Sequence, residues 1–320
     1  MAAKITDKML QQALKDRWLA VNPNVAVEWD ATYPYYFKEL NANLLYEMSD
    51  RVYHYYNEGS GSELKKRTRK GKKIPPKMLA LKSSSAMTFN IFGNGDANGN
   101  IIILGNEYGL PIGKYKLEYE KQLPALNSRA PANLDACLSS EAATLFFEMK
   151  MTEWFGVPSL LSPSYLKENA NFPDEKFRQT MQALMRAYLT TTKKQDSQGG
   201  YKCKTTHFDA FQIMKHIFGI YNGIKRGKLP KTPLIKLIVG FWTVPDIDFF
   251  KGDSNLYSAY QDAEKEMRQE FRGFYDGLKG IIDLFKEQGV CFELKLLTVR
   301  EIVECLEKSA VEMDALRRYL

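Results

Sequence analysis

Histidine and cysteine are scarce in this 320-residue chain, with three of the first and four of the second. The cysteines, Cys137, Cys203, Cys291 and Cys305, stand far apart and form no CxxC pair. That spacing speaks against a disulfide framework and against a zinc ribbon. Cys203 and His207 (CKTTH), with His216 further on, supply too few clustered ligands for a structural zinc site, which takes four. Long apolar runs are missing too. The most apolar stretch, LIKLIVGFW at 234–242, is far short of the roughly 20 residues that span a bilayer. The opening MAAKITDKMLQQALKDRW reads as a polar helix rather than a leader. A soluble, cytoplasmic protein without membrane contact is the expectation. GNGDANGN at 93–100 carries no following Lys-Ser/Thr and comes after a helical pattern. It is therefore a turn and not a phosphate loop, and no nucleotide cofactor is expected.

Positive charge, by contrast, is abundant and local. The formal net charge is +7, and LKKRTRKGKKIPPK at 64–77 holds eight basic residues and no acid, leaving −1 for the rest. Lys65, Lys66, Arg67, Arg69, Lys70, Lys72 and Lys73 form either a solvated loop or an arm that gathers nucleic-acid phosphates, since clustered cations release counterions on binding. A nuclear-targeting segment has the same composition. Tyr53, His54, Tyr55 and Tyr56 just upstream suit either a packed helix face or a base-stacking surface.

Hydrophobic periodicity predicts helices over 5–20, within 35–56, over 77–92 and 207–221, in FPDEKFRQTMQALMRAYLTTT, from about 257 to 288, and at the close of the chain. Short strands are predicted at NIIIL, YKLEYE, NLDACL, TLFFEMKM, LIKLIVGFW and CFELKLLTV. Residues 157–173 and KKQDSQGGYK read as loops. Helices and strands mixed in this order predict an α/β domain with helices packed on a sheet. There is no internal repeat and no visible domain boundary, so one decorated domain is expected.

The strand TLFFEMKM holds the residues that carry chemistry. Glu148 and Lys150 are two apart, so they share a face. Asp135 lies in the preceding short strand, with Ser139, Ser140 and Glu141 as a tight connection. A hairpin would bring the Asp135 and Glu148 carboxylates together. Two converging carboxylates repel unless one is protonated or a cation lies between them. Mg²⁺ suits that place, because it takes oxygen ligands from one or two carboxylates plus waters and phosphates. The Met149 carbonyl could add a further oxygen, and Lys150 would face the phosphate. An ordinary ion pair between Glu148 and Lys150 explains the same triplet without chemistry.

Asp135 followed by Glu148-Met149-Lys150 resembles the PD-(D/E)XK nuclease superfamily. The set SSSAMTFNIFG (83–93), RAPANLDACL (129–138), LFFEMKMTEW (145–154) and FQIMKHIFGI (211–220) is similar to a bacterial family of restriction endonucleases within it, over roughly residues 80–243. The resemblance implies a restriction-endonuclease-like αβββαβ core, a mixed central sheet flanked by helices, with helical N-terminal and C-terminal elaborations. Residues 1–76 would be a helical extension with the basic loop, and 77–320 the nuclease-like domain. It further implies a Mg²⁺-dependent DNA endonuclease of restriction or defence type, with Mn²⁺ as a substitute ion. Asp135 and Glu148 would be the metal ligands and Lys150 the catalytic lysine. Gln212 and His216 would stand on a helix that braces the site or contacts DNA. Cutting both strands would favour a homodimer. Many members carry an acid on the first core helix, and 77–92 has none. The resemblance therefore leaves Ser84, Ser85 or Asn90 to complete the shell, or Glu39 or Glu47 from the preceding segment. A nuclease fold that binds nucleic acid without cutting it is the alternative.

Overall fold

The computed structural model of the chain describes residues 5–23, 25–59, 63–69, 71–126, 131–190 and 200–320. Lys70, the Arg69 side chain, Arg129 and Ala130 of the RAPANLDACL motif, and most of KKQDSQGGYK lie outside the described residues. The chain opens with α1 (Asp7–Val21) and α2 (Asp50–Glu58), then a hairpin of β1 (Arg67–Arg69) and β2 (Lys72–Ile74). Next come α3 (Ser84–Phe92), β3 (Asn100–Ile103), β4 (Gly113–Leu123), β5 (Ala132–Ser139) and β6 (Ala143–Lys150). After α4 (Glu175–Ala187) and α5 (Ala210–Lys225), β7 (Leu234–Phe241) returns to the sheet. The chain finishes with α6 (Ser254–Asp276), α7 (Lys279–Glu287), β8 (Cys291–Thr298), α8 (Val299–Cys305) and α9 (Ala310–Ala315).

Strands β3 to β8 form one six-stranded mixed sheet in sequence order. The first four are antiparallel, and β7 and β8 run parallel to β6. Every residue of β6 except Lys150 is buried, which is why TLFFEM is almost continuously apolar. Its odd-numbered residues meet one layer: Phe147 packs edge-on against Phe92 of α3. On that side Gly240 of β7 stands where an added Cβ would strike Met149 and Ile302 of α8. The even-numbered residues face α5, where Gly219 allows the helix backbone close to Leu123 and Ala132. Helices therefore cover both faces of the sheet, and the α/β class expected from the sequence holds.

Five predicted elements are different in outline, the closing helix among them: it is broken between α8 and α9, where Ser309 caps a new start. The 35–56 segment is no continuous helix: Tyr36 and Phe37 pair as isolated bridges with Ala80 and Trp29, and only Asp50–Glu58 is α-helical. Ser49 caps that helix by accepting from Val52 N, so the helical register restarts there. The 77–92 helix begins at Ser84, because the Ser83 hydroxyl accepts from Ala86 N; Lys77–Leu79 is a separate 3-10 turn. The basic run expected as a loop folds as the β1–β2 hairpin about Gly71, whose φ of 74° suits glycine. The long 257–288 helix breaks at Gly277, where a Cβ would stand 3.2 Å from Leu184 Cδ1 of α4. No described helix is long and apolar enough to cross a membrane.

Candidate active site at the parting of two strands

Strands β5 and β6 pair as far as Ala136 opposite Phe147. Continuing that register sets Asp135 opposite Glu148, but there the ladder ends. Instead of a backbone partner on β5, the Met149 N–H takes the Asp135 carboxylate, donating to Oδ2 at 2.6 Å. N–H and C=O of one strand residue leave on the same edge, so the Met149 carbonyl faces the same gap. The parting of the strands opens a cavity of about 410 Å³, walled by Asp135, Glu148, Lys150 and Gln212 and by Glu63 and Glu120. Ser84, Ser85 and three cations, Arg67, Lys77 and Lys82, also line it.

Glu148 is buried and fully engaged. Lys150 Nζ lies 2.6 Å from its Oε1, Gln212 Nε2 donates to the same oxygen at 2.7 Å, and His216 Nε2 lies 3.0 Å from Oε2. Lys150 also donates to Gln212 Oε1 at 2.7 Å, closing a triangle. The i, i+4 spacing of Gln212 and His216 on α5 is what aims both at one carboxylate. Burial alone would raise the Glu148 pKa, but Lys150 and His216 overcome it and hold it at about 2. Burial likewise opposes the Lys150 charge, and Glu148 outweighs it, so the ammonium is held protonated. Asp135 goes the other way: burial, then Glu148 and Glu120, push its pKa well above the usual carboxylate range.

Two acids complete the site that the sequence reading did not single out. Glu120 on β4 falls opposite Asp135, between the paired residues Tyr119 and Lys121, and its φ of 48° is rare for a residue with a Cβ. Burial, then Glu63, push its pKa up to about 8. Glu63, just ahead of the basic run, accepts from Ser85 Oγ at 2.9 Å and pairs with Lys77 at 2.6 Å. Of the alternatives for the missing acid, Ser84 and Ser85 line the cavity, and Glu39 and Glu47 are not among its lining residues. Glu63 lines it, held over the N-terminal end of α3 by Ser85. Asn90 also departs from expectation. It is fully buried and donates to Asn43 O and Tyr319 Oη at 3.0 and 2.8 Å, so it pins the core rather than the site.

Of the basic run, Arg67 reaches the cavity, while Lys65 donates to Asn57 O at 2.8 Å and opens onto a neighbouring groove. Lys66, Lys72 and Lys73 are exposed on the hairpin. Tyr56 is buried against Tyr119, Tyr55 is half-buried, and Tyr53 and His54 are exposed, His54 pairing with Glu58 at the surface, so the cluster divides between packing and solvent. Among the described residues no three His, Cys, Asp or Glu side chains form a ready-made metal cage. The donors that do converge are all oxygens: Asp135 and Glu148, with Glu120 and the Met149 carbonyl beside them. That set fits a hard cation such as Mg²⁺, which is seldom caged by protein alone.

No family model, no curated protein and no solved structure matches this chain.

Proposed function

We propose that the chain is a Mg²⁺-dependent endonuclease hydrolysing DNA phosphodiesters, of the restriction or defence type. The observation that carries the reading is the meeting of Asp135, Glu148 and Lys150 where β5 and β6 part, in a cavity that also admits Arg67 of the N-terminal hairpin, with Lys77 and Lys82 beyond it. The element order α3–β4–β5–β6–α5–β7 supports the restriction-endonuclease-like αβββαβ core, with β3 and β8 as added strands.

The residues divide the work by charge. Asp135, Glu148 and the Met149 carbonyl would hold the ion. When bound, the ion would polarise the phosphoryl oxygen and acidify water. Lys150 stays protonated, so it stabilises negative charge building on the phosphate rather than removing a proton. Gln212 fixes the ammonium and the Glu148 carboxylate together, so neither swings away as substrate enters. Arg67, Lys77 and Lys82 line the approach and draw flanking phosphates.

The test is plasmid cleavage with Mg²⁺ by the wild type, Glu148→Gln and Lys150→Gln, each checked by thermal denaturation. Cleavage that falls at least about a hundredfold in both folded variants supports the reading. Absence of wild-type cleavage, or cleavage unchanged in both variants, overturns it. The crowding of Glu148 by Lys150, Gln212 and His216 favours one alternative, a nuclease fold that binds DNA without cutting. Its signature is salt-sensitive binding with no hydrolysis under Mg²⁺ or Mn²⁺.

A further inference from the structure

Lys150, Glu153 and Gln212 also line a second cavity, of about 250 Å³, which Asp135, Glu148, Glu120 and Glu63 do not line. The two cavities share a wall and differ in chemistry. The first is rimmed by acids and cations; the second adds, to the shared Lys150, Glu153 and Gln212 and to Asp209, apolar walls from Trp154, Phe208, Phe241, Ile213 and Leu296, with Val157 standing 90% exposed on the lining loop.

Its walls are fastened by contacts that meet the proposed catalytic network at Gln212, whose N–H donates to Asp209 at 3.0 Å. Asp209 accepts from Ser159 N and Oγ at 2.9 and 2.6 Å, tying the 157–159 loop to the start of α5. Glu270 of α6 accepts from His207 N and Phe208 N at 2.9 and 2.7 Å. His207 Nδ1 lies 3.0 Å from the Trp154 carbonyl. A partly aromatic, pre-organised slot therefore opens beside the proposed phosphate site.

We infer that this second cavity receives the base of the nucleotide adjoining the phosphate at Lys150, turned out of its stack. The inference rests on the nuclease reading, which supplies the phosphate. Size agrees: pockets for drug-sized ligands begin at about 300 Å³, and 250 Å³ is room for a single ring system. Chemistry agrees too, because aromatic walls stack on any base without selecting its sequence. A base can enter only when unpaired, so single strands, ends and distorted duplexes are the favoured substrates.

The test titrates the whole protein with deoxyadenosine 5′-monophosphate and, separately, deoxyribose 5-phosphate, following tryptophan fluorescence against a Trp154→Phe control. The nucleotide should quench Trp154 and the sugar phosphate should not. Leu296→Phe, which fills the slot, should weaken nucleotide binding at least tenfold. Should that variant melt early, Val157→Asp on the exposed loop should weaken the nucleotide more than the sugar phosphate. In cleavage assays the wild type should cut a single-stranded oligonucleotide at least tenfold faster than its duplex. Lys150-dependent cleavage without a nucleotide response overturns the slot and leaves the nuclease standing. A nucleotide response without cleavage supports the slot and overturns the nuclease. Equal binding of the two phosphates overturns the inference outright.

Discussion

Glu120 stands between strain and electrostatics. Its backbone occupies a left-handed conformation, and its carboxyl is buried near Glu63, Asp135 and Glu148. With a folded pKa of about 8 against 4.5 in the unfolded chain, the folded state binds the extra proton. The stabilisation is full below pH 4.5 and is lost as pH rises through about 8. The metal-free protein should therefore melt at lower temperature as pH climbs across that window, by up to about 5 kcal/mol from this group. Glu120→Gln should flatten the slope; an unchanged slope would exclude Glu120 as its source. Glu148 behaves in the opposite sense, its folded pKa of about 2 giving stability above pH 4.5 that is lost as acid protonates it. Removing its carboxylate altogether leaves Lys150 buried and unpaired. Glu148→Ala should accordingly cost about 3–5 kcal/mol in thermal or urea unfolding, and Glu148→Gln less. The placing of Asp135, Glu148 and Lys150 was legible from alternation in two short strands. Glu120 was not, because Glu118 and Glu120 read alike in YKLEYE; Glu118 pairs with Lys121, while the turned backbone sets Glu120 inward. Glu63 was hidden for another reason: its nearness to Ser85 is a tertiary contact with no sequence period behind it.

The N-terminal hairpin is where element-scale physics bears on function. Two three-residue strands form a weak unit on their own, and Tyr33 Oη, donating to Lys73 O at 3.1 Å, helps to hold this one down. In the proposed nuclease its exposed lysines would supply sequence-independent DNA affinity. Changing Lys65, Lys66, Lys72 and Lys73 to Gln should reduce the slope of log affinity against log salt by up to about 0.9 for each phosphate no longer neutralised. Fluorescence anisotropy across a salt series measures this directly, and an unchanged slope would place the DNA elsewhere. Composition disclosed that charge at once, yet gave no sign that the run would pair with itself about Gly71. The strands of the sheet were readable because each is a short apolar run between turn signals. Helix limits were less so: Gly277 splits one long pattern because α4 needs the space, and Asn43, donating to Met78 O and Ala80 O at 2.7 and 3.0 Å, secures the non-helical stretch around it.

Across the whole molecule the two ends of the chain meet at α3. Ser85, near the start of that helix, supports Glu63 at the cavity, while Asn90, further along, accepts from Leu45 N at 2.8 Å and donates to Asn43 O and Tyr319 Oη. Arg318 donates to the same Asn43 carbonyl, and Tyr46 donates to Glu312 at 3.0 Å. The segment before the first core helix and the segment after the last strand thus share buried polar partners. Asn43, Asn90, Arg318 and Tyr319 are buried, while Tyr46 and Glu312 are half-buried. Such a closure argues for one cooperative unit instead of an extension attached to a nuclease-like domain at residue 76. Tyr319→Phe tests it with the least disturbance, because it keeps the buried ring and removes one oxygen. An N–H of the fully buried Asn90 amide then lacks its partner, which should cost about 1–3 kcal/mol. If the ends and the sheet are one unit, calorimetry should show a single transition moved to lower temperature, with the calorimetric and van't Hoff enthalpies equal. An early transition that leaves the main one in place would instead divide the N-terminal segment from the sheet.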